Sequence, residues 1–192
     1  MKFSIITPEH DVKNLPFLIE LFESIKAQTY TDWEWVLYLN NGMSSEFIPD
    51  EIKEHPKVSI HNQIEHNKFI GHIKNRAFKC GTGDILVEVD HDDMITPDCL
   101  QELCYAFQDQ DVGFVYSDNA VLHMEDNFIP YNPVFGWTYG KYNWKGKDLI
   151  AMNSWEPTSH ALGYIWFSPD HVRAWRSSEY HRIGGYDENY EY

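Results

Sequence analysis

The sequence predicts an α/β fold in which a mostly parallel central sheet is covered by helices on both faces. Along the first two-thirds of the chain, short continuous apolar segments alternate with amphipathic ones. Strands that are apolar throughout are typical of parallel sheets, since such sheets are buried on both faces. The chain has 192 residues, which is enough for one domain with its own core. We therefore predict a single domain over residues 1–192.

Six apolar runs are predicted to form the strands of this sheet. They cover residues 3–6, 35–39, 58–60, 85–89, 113–116 and 164–167. Pro8 is expected to end the first strand, because proline lacks the amide hydrogen that a sheet ladder uses. Asn40, Asn41 and Gly42 are expected to end the second strand, since these residue types are common in turns.

Three segments place apolar residues at helical spacing. The first follows Asn14 and Pro16, residue types that are common at a helix N-cap and in a first turn. Its apolar face consists of Leu15, Leu18, Ile19, Phe22 and Ile25. A second helix is predicted over residues 71–79, and a third directly after Asp98.

Residues 121–157 differ from the rest of the chain because they show neither helical nor strand periodicity. The aromatic residues concentrated here are Phe128, Tyr131, Phe135, Trp137, Tyr139, Tyr142 and Trp144. We predict a long loop or short hairpins, and long loops in compact domains are often functional. Binding a ligand and covering the sheet are equally good accounts of these rings.

The composition is strongly acidic, with 30 Asp and Glu against 15 Lys and Arg and a net charge of −15. Nucleic-acid binding relies on clustered basic side chains, so we predict no nucleic-acid partner. There is no signal-peptide pattern and no run of about 18 apolar residues, so we predict no integral membrane segment. The three cysteines lack metal-type spacing and indicate reduced thiols, and we predict a cytoplasmic protein.

Three carboxylates and an imidazole follow the fourth predicted strand. They belong to Asp90, His91, Asp92 and Asp93. Residues 7–9 and 40–42 follow other strands and should meet them at the edge where parallel sheets bind ligands. Carboxylates this close repel one another unless a cation lies between them, and oxygen ligands suit Mn²⁺ or Mg²⁺. In an extended strand end Asp90 and Asp92 point the same way, so we predict that both bind the metal while Asp93 caps the next turn. A solvated turn without an ion is the alternative.

Several short motifs follow one another in order along residues 1–120. They are Ile5-Ile6-Thr7-Pro8, Gln28-Thr29-Tyr30, Asn40-Asn41-Gly42, Gly71-His72-Ile73-Lys74-Asn75-Arg76, Gly81-Thr82-Gly83-Asp84 and the acidic cluster, with Gly184-Gly185-Tyr186-Asp187-Glu188 near the end. As an ordered set they resemble the family 2 glycosyltransferases of the GT-A fold. The resemblance implies a GT-A-type α/β fold, with residues 1–120 as the nucleotide-sugar-binding half and 121–192 as the acceptor-side half.

The resemblance also implies a role for each matched residue. The residues implied to bind the nucleotide-sugar are Thr7, Pro8, Glu9, Asn40, Asn41, Lys74, Asp90 and His91. The first five would hold the nucleobase, although the family usually has Asp where this chain has Asn, which leaves the base open. Lys74 replaces an Arg and would meet a phosphate or Asp84, or only brace its helix. Asp90 would contact the ribose or a metal-bound water and His91 the ribose, while Asp92 would bind the metal and through it both phosphates.

The implied reaction transfers a sugar, with inversion, from a UDP-sugar or a related donor to the hydroxyl of a glycan or another acceptor. Mn²⁺ or Mg²⁺ would stabilise the leaving diphosphate, and a carboxylate would act as general base. The family usually has that base in a Glu-Asp pair after the Gly-Gly-Phe-Asp-Glu segment, and this sequence ends at Tyr192 before such a pair, as in a C-terminally short member. Either the sequence is truncated before the base, or Asp187, Glu188 or Glu156 serves as the base. A non-catalytic module that binds nucleotide-sugar or glycan is the alternative.

Overall fold

The structure is a computed structural model that describes residues 1–63, 69–122, 131–156, 158–164, 169 and 171–189. The chain divides into two compact units, of which the first comprises Met1–Val115 and Ala174–Tyr192 and the second comprises Tyr116–Arg173. Residues 174–189 therefore pack with the beginning of the chain. The assignment of donor and acceptor roles to residues 1–120 and 121–192 stays a prediction.

The described residues contain nine strands arranged in two sheets. In chain order they are β1 (Phe3–Glu9), β2 (Trp33–Leu39), β3 (Val58–Asn62), β4 (Ile85–Glu88), β5 (Phe114–Tyr116), β6 (Asn119–Ala120), β7 (Tyr139–Trp144), β8 (Lys147–Met152) and β9 (Arg173–Arg176). The larger sheet has the order β3-β2-β1-β4-β9-β5, and the smaller one has the order β6-β8-β7. Strand β1 pairs in parallel with β2 and β4, and β2 pairs in parallel with β3. The predicted parallel arrangement is confirmed for these four strands.

Helices cover both faces of the larger sheet. The described helices are α1 (Leu15–Lys26), α2 (Asp50–Lys53), α3 (Ile70–Phe78), α4 (Cys99–Ala106), α5 (Ser159–Tyr164) and α6 (Ser177–Ile183). Trp35 and Val36 are neighbours in β2 and so point to opposite faces. Phe22 of α1 stacks on Trp35 with ring centroids 5.5 Å apart, whereas Val36 shares a buried cluster with Ile73 of α3. Helices α1 and α3 therefore lie on opposite faces of the sheet.

Among the helices that the structure describes, none combines the length and the apolar character needed to cross a bilayer. The cytoplasmic location stays a prediction.

The first strand does not end before Pro8, contrary to the sequence prediction. Strand β1 continues to Glu9, because beyond Ile6 its ladder partner is β2 alone. The Ile6 carbonyl accepts from the Val89 amide at 3.2 Å, so residues 6 and 8 direct their backbone groups toward the β4 side. Strand β4 has already ended there, so no neighbouring strand would accept a hydrogen bond from an amide at position 8. Proline is therefore tolerated at this position of β1.

Tyr164 does not begin a sixth strand, as the sequence predicted, but ends helix α5. The Thr158 hydroxyl accepts a hydrogen bond from the Ala161 amide at 3.0 Å, which caps the start of this helix. Apolar content alone does not reveal such a cap. The remainder of the predicted strand, residues 165–167, lies outside the described residues.

The second unit contains a hairpin formed by β7 and β8, within the segment that was predicted to form a loop or short hairpins. Its two turn residues, Lys145 and Gly146, have positive φ angles of 50° and 86°. Two left-handed residues in succession are typical of the two-residue turns that match the twist of paired strands. The hairpin prediction is therefore confirmed for residues 139–152, while residues 123–130 lie outside the described part.

Glu34 of β2 ties the beginnings of several strands together, and we predict that it supports stability at neutral pH. Its carboxylate accepts hydrogen bonds from Lys2 Nζ at 2.5 Å, Ser4 Oγ at 2.6 Å and the Thr82 amide at 2.6 Å. Burial acts to raise the pKa of Glu34, but these donors prevail and lower it below its ordinary value of 4.5. Stability from such a group is present above the ordinary pKa and is lost as the pH falls through the lowered one.

Glu34→Gln is expected to reduce the free energy of unfolding at pH 7 by about 1 kcal/mol, since the half-buried network is partly screened by solvent. Urea unfolding between about pH 7 and pH 3 should show a flatter acid slope for the variant than for the wild type. The exposed Glu46 provides the control, Glu46→Gln. Equal acid slopes for wild type and Glu34→Gln would contradict the prediction.

Candidate functional site

The segments that follow β1, β2 and β4 meet at one edge of the larger sheet, because these three strands are parallel neighbours. The Asn40 amide donates to the Glu9 carbonyl at 2.8 Å, which joins the ends of β2 and β1. The Thr7 hydroxyl donates to the Val89 carbonyl at 2.9 Å, which joins β1 to the segment after β4. The structure thus brings together the three segments that the sequence placed at this edge.

The acidic cluster forms a tight turn. Strand β4 ends at Glu88, and the Asp93 amide donates to the Asp90 carbonyl at 3.2 Å, so the chain is not extended here. The expectation that Asp90 and Asp92 point the same way assumes an extended chain, and that premise is wrong. Asp93 closes the turn through its backbone amide. The side chains of Asp90 and Asp92 are 33% and 59% exposed, so both are accessible to a ligand.

The carboxylates of Asp90 and Asp92 fit a hard divalent cation, because their oxygens are the ligands that Mn²⁺ and Mg²⁺ prefer and both are exposed. Among the described residues of the first unit, neither aspartate converges with two other ligand atoms to within 4.8 Å.

Lys74 of α3 connects this helix to the acidic turn. Its Nζ lies 2.5 Å from Glu88 Oε1 and 3.9 Å from Asp90 Oδ1. The Glu88 side chain is fully buried, so the lysine neutralises a charge that lies inside the fold. Lys74 does not meet Asp84, which was one of its predicted partners. Asp84 lies at the other end of the strands, where its Oδ2 accepts from the Lys2 amide at 2.8 Å.

The side chains at the end of β1 are buried, and the polar ones make hydrogen bonds within the protein. The Thr7 hydroxyl also accepts from Trp35 Nε1 at 3.0 Å, and Pro8 is buried in the strand. Glu9 is fully buried, and its Oε1 accepts from the amides of His10 and Asp11 at 2.6 and 2.9 Å.

Asn14 stands at the predicted N-cap position of α1, but its side chain makes no capping bond. Its Nδ2 instead donates to Glu9 Oε1 at 3.0 Å. The amide therefore fixes the orientation of the Glu9 carboxylate, and α1 starts from its first-turn proline without a side-chain cap.

Asn40 and Asn41 form the turn after β2. Asn40 is only 6% exposed, and its carbonyl accepts from the Met43 amide at 3.0 Å. Asn41 and Gly42 have positive φ angles of 52° and 80°, which asparagine and glycine tolerate best. The residue types therefore explain the backbone conformation of this turn. Of the two asparagines, Asn41 has the exposed side chain that a ligand can reach.

His91 lies in the acidic turn and meets His10 from the loop after β1. The two rings are edge to face, with centroids 5.6 Å apart. His91 Nε2 is 4.0 Å from Asp92 Oδ1, and its side chain is 18% exposed. His10 was not predicted as a site residue, because its position depends on how the two loops approach each other.

Asp187 and Glu188 pack against helix α3. Glu188 Oε1 accepts from Asn75 Nδ2 at 2.9 Å, and Glu188 Oε2 lies 3.0 Å from His72 Nδ1. These hydrogen bonds, from Asn75 first and then His72, lower the pKa of Glu188. A lowered pKa weakens a carboxylate as a general base. Asp187 Oδ1 accepts from the Asn189 amide at 2.8 Å, and the assignment of either residue as the base stays a prediction.

Comparison with known proteins relates this edge to a family. A sequence profile of glycosyl transferase family 2 matches residues 4–164, which include the ends of β1, β2 and β4 and the acidic turn. The chain belongs to glycosyl transferase family 2.

Curated relatives agree with this family 2 membership. The chain is 30% identical over 128 residues to an uncharacterized glycosyltransferase, YwdF, of Bacillus subtilis, a match that covers 66% of this chain and 45% of that protein. It is 26% identical over 180 residues to chondroitin synthase of Escherichia coli, covering 92% of this chain and 23% of that protein. The chain thus spans less than half the length of these relatives.

Solved structures show that this family 2 member has the GT-A fold. The UDP complex of S. aureus TarS superposes with a TM-score of 0.66 at 16% identity, covering 97% of this chain and 50% of that one. The complex of the mannosyltransferase PcManGT from Pyrobaculum calidifontis with GDP-Man and Mn²⁺ gives a TM-score of 0.62 at 16% identity, covering 98% and 48% of the two chains. The predicted family and fold are confirmed.

Besides His10, two residues next to the site of this family 2 chain were not predicted from the sequence. Glu88 is fully buried and accepts a hydrogen bond from the Tyr186 hydroxyl through Oε2, so the C-terminal segment reaches the base of the acidic turn. A charged residue between Val87 and Val89 in an apolar strand was a visible signal for Glu88. Nothing in the sequence around Tyr186 indicates that contact.

Proposed function

We propose that this chain is a metal-dependent, inverting glycosyltransferase that moves a sugar from a UDP-sugar to an acceptor hydroxyl. The observation that carries the proposal is the pair of exposed carboxylates, Asp90 and Asp92, at the carboxyl ends of parallel strands in a family 2 chain. Ligands of parallel α/β sheets bind at this edge. Two structural neighbours support a nucleotide-sugar donor, since TarS has been solved with UDP-GlcNAc and PcManGT with GDP-Man.

Asp90 and Asp92 are the residues that would hold Mn²⁺ or Mg²⁺. When bound, the ion would neutralise charge on the leaving diphosphate. Lys74 Nζ lies 3.9 Å from Asp90 Oδ1 and neutralises the Glu88 carboxylate. It therefore helps to hold Asp90 in place, and its ammonium group is already paired with these two carboxylates. His91, which is 18% exposed, is proposed to contact the ribose.

The nucleobase is proposed to lie between the ends of β1 and β2. Thr7, Pro8 and Glu9 would contribute mainly through their backbone, because their side chains are buried. Asn40 and Asn41 follow β2, and an asparagine amide can both donate and accept hydrogen bonds. Such a group is compatible with uracil and with other bases.

Asp187 or Glu188 is proposed as the general base. Helix α3 fixes Glu188 through Asn75 and His72, which gives this carboxylate a defined position but a lowered pKa. A non-catalytic module that binds nucleotide-sugar is the alternative function. The hydrogen bonds that Glu188 already makes favour the binding module, because a general base must be free to accept a proton.

The test combines thermal unfolding with donor turnover. UDP-, GDP- and dTDP-sugars are added with Mn²⁺ or with chelator. A UDP-sugar at about 100 times its Kd should stabilise the protein by about 2.7 kcal/mol, and only with Mn²⁺. Asp92→Ala should abolish this effect, whereas the control Asp98→Ala should keep it, since Asp98 is exposed and its side chain makes no capping bond.

Release of UDP from the same samples distinguishes the two functions. Release that depends on Mn²⁺ and is lost in Asp92→Ala supports the transferase. Stabilisation without release supports the binding module. An equal stabilisation in chelator would contradict the metal role.

A further inference from the structure

A second set of potential metal ligands lies beside the acidic turn. A carboxylate oxygen of Glu9 and one ring nitrogen each of His10 and His91 lie within 4.8 Å of one another. All three residues belong to the first unit, at the ends of β1 and β4. Neither Asp90 nor Asp92 contributes to this set, which combines two imidazoles with one carboxylate.

The hydrogen bonds around the Glu9 carboxylate resemble those around a metal-binding carboxylate. Its Oε1 accepts three hydrogen bonds, from the His10 and Asp11 amides and from Asn14 Nδ2. Its Oε2 is buried and has no hydrogen-bond partner among the described residues. A fully buried carboxylate with one saturated oxygen and one oxygen that lacks a hydrogen-bond partner is unusual, since buried polar atoms normally have a partner. Hydrogen bonds to the other oxygen fix the orientation of the group, as they do around ligands of bound metals.

The two imidazoles can reach a common ion through side-chain rotation, without a change of fold. A tetrahedral ion with bonds of about 2.0–2.1 Å places its ligand atoms roughly 3.4 Å apart. The atoms of this set lie within 4.8 Å of one another, and His10 is exposed, so rotation of its side chain can close the remaining gap. The exposure of His10 also leaves room for a water molecule as fourth ligand.

We propose that Glu9, His10 and His91 form a binding site for Zn²⁺ that is distinct from the Asp90 and Asp92 carboxylates. Imidazole nitrogens favour Zn²⁺ over Mn²⁺ and Mg²⁺, and affinities for mixed nitrogen and oxygen sites rise from Mn²⁺ to Zn²⁺. Two histidines with one glutamate are a ligand set that leaves one position of a zinc ion open. The site is built from side chains of this chain alone, and because Glu9 and His91 also belong to the proposed nucleotide-sugar site, it is tested without nucleotide.

The test is calorimetric titration of the full chain with Zn²⁺ in the absence of nucleotide. One ion is expected to bind per chain. Co²⁺ in the same site should show the intense visible absorption of four-coordinate cobalt. His10→Ala should weaken Zn²⁺ binding by at least about 10-fold. His10 is exposed, so this variant should fold, and circular dichroism checks that it does.

Two further variants distinguish this site from other ligands. His181→Ala removes another exposed histidine, on α6, and should leave the affinity for Zn²⁺ unchanged. Asp92→Asn should weaken binding far less than His10→Ala, because Asp92 is not one of the three ligands, although its Oδ1 lies 4.0 Å from His91 Nε2. The proposal is overturned if the wild type binds no Zn²⁺, if His10→Ala binds it as tightly as the wild type, or if Asp92→Asn abolishes binding.

Discussion

Lys74→Met is expected to lower the free energy of unfolding by about 3–5 kcal/mol, because it removes one partner of a buried ion pair. The Lys74 side chain is 12% exposed and its Nζ lies 2.5 Å from an oxygen of the fully buried Glu88. Without the ammonium group, the fully buried Glu88 carboxylate loses the lysine that neutralises it at 2.5 Å. Methionine preserves most of the aliphatic volume, so the loss measures the charge. Urea unfolding at pH 7, followed by tryptophan fluorescence, gives the difference.

A matched control and a double variant make this prediction specific. Lys79→Met changes an exposed lysine directly after α3 and should alter stability by less than about 0.5 kcal/mol. Adding Glu88→Gln to Lys74→Met removes the buried carboxylate charge and should recover part of the loss, so the two substitutions should not be additive. Additive losses would show that the two side chains act independently and would contradict the ion-pair interpretation.

The same ion pair shows what the sequence could and could not predict. Helical spacing placed Lys74 on α3, and the apolar run placed Glu88 in β4, so both elements were predicted from local pattern. Their contact joins a helix to a strand 14 positions away in the chain, and only the packing of α3 on the sheet decides it. The sequence therefore offered Asp84 and a phosphate as partners, and the structure gives Glu88 and Asp90.

The acidic turn was predicted in position but not in conformation. The residue types and the strand before them placed Asp90 and Asp92 at the sheet edge where parallel sheets bind ligands. The direction of their side chains depended on where β4 ends. Element boundaries are the least readable feature of a sequence, and a difference of one or two residues turns an extended end into a turn. The contact between His10 and His91 was missed for a related reason, since it requires the approach of two loops.

The packing of the C-terminal segment on α3 depends on a glycine that the sequence identified only as part of a motif. Asn75 is 4% exposed, and its Oδ1 accepts from the Tyr180 hydroxyl at 2.6 Å and from the Tyr186 amide at 2.8 Å. Its Nδ2 donates to the Tyr186 carbonyl at 2.8 Å and to Glu188. Gly185 lies against this network with a φ angle of +74°.

Gly185→Ala is expected to lower the free energy of unfolding by about 2–4 kcal/mol, the sum of left-handed strain and overpacking. A Cβ at this position would overlap Asn75 Oδ1 and approach the Tyr180 hydroxyl at 2.9 Å. Because Asn75 holds Glu188, the variant should also displace the proposed base and reduce turnover of a UDP-sugar. Urea unfolding and UDP release, measured on the same preparation, test the two effects together.

Gly184→Ala separates steric overlap from backbone strain. Gly184 also has a positive φ, +85°, but a Cβ there would meet no atom within 4 Å. It should therefore lose only the left-handed strain, about 1–2 kcal/mol, and keep Asn75 and Glu188 in place. A clear difference between the two variants, in stability and in turnover, assigns the effect to the Asn75 network. If the two glycines respond equally, the strain of the turn explains the loss, and the network does not fix the position of Glu188.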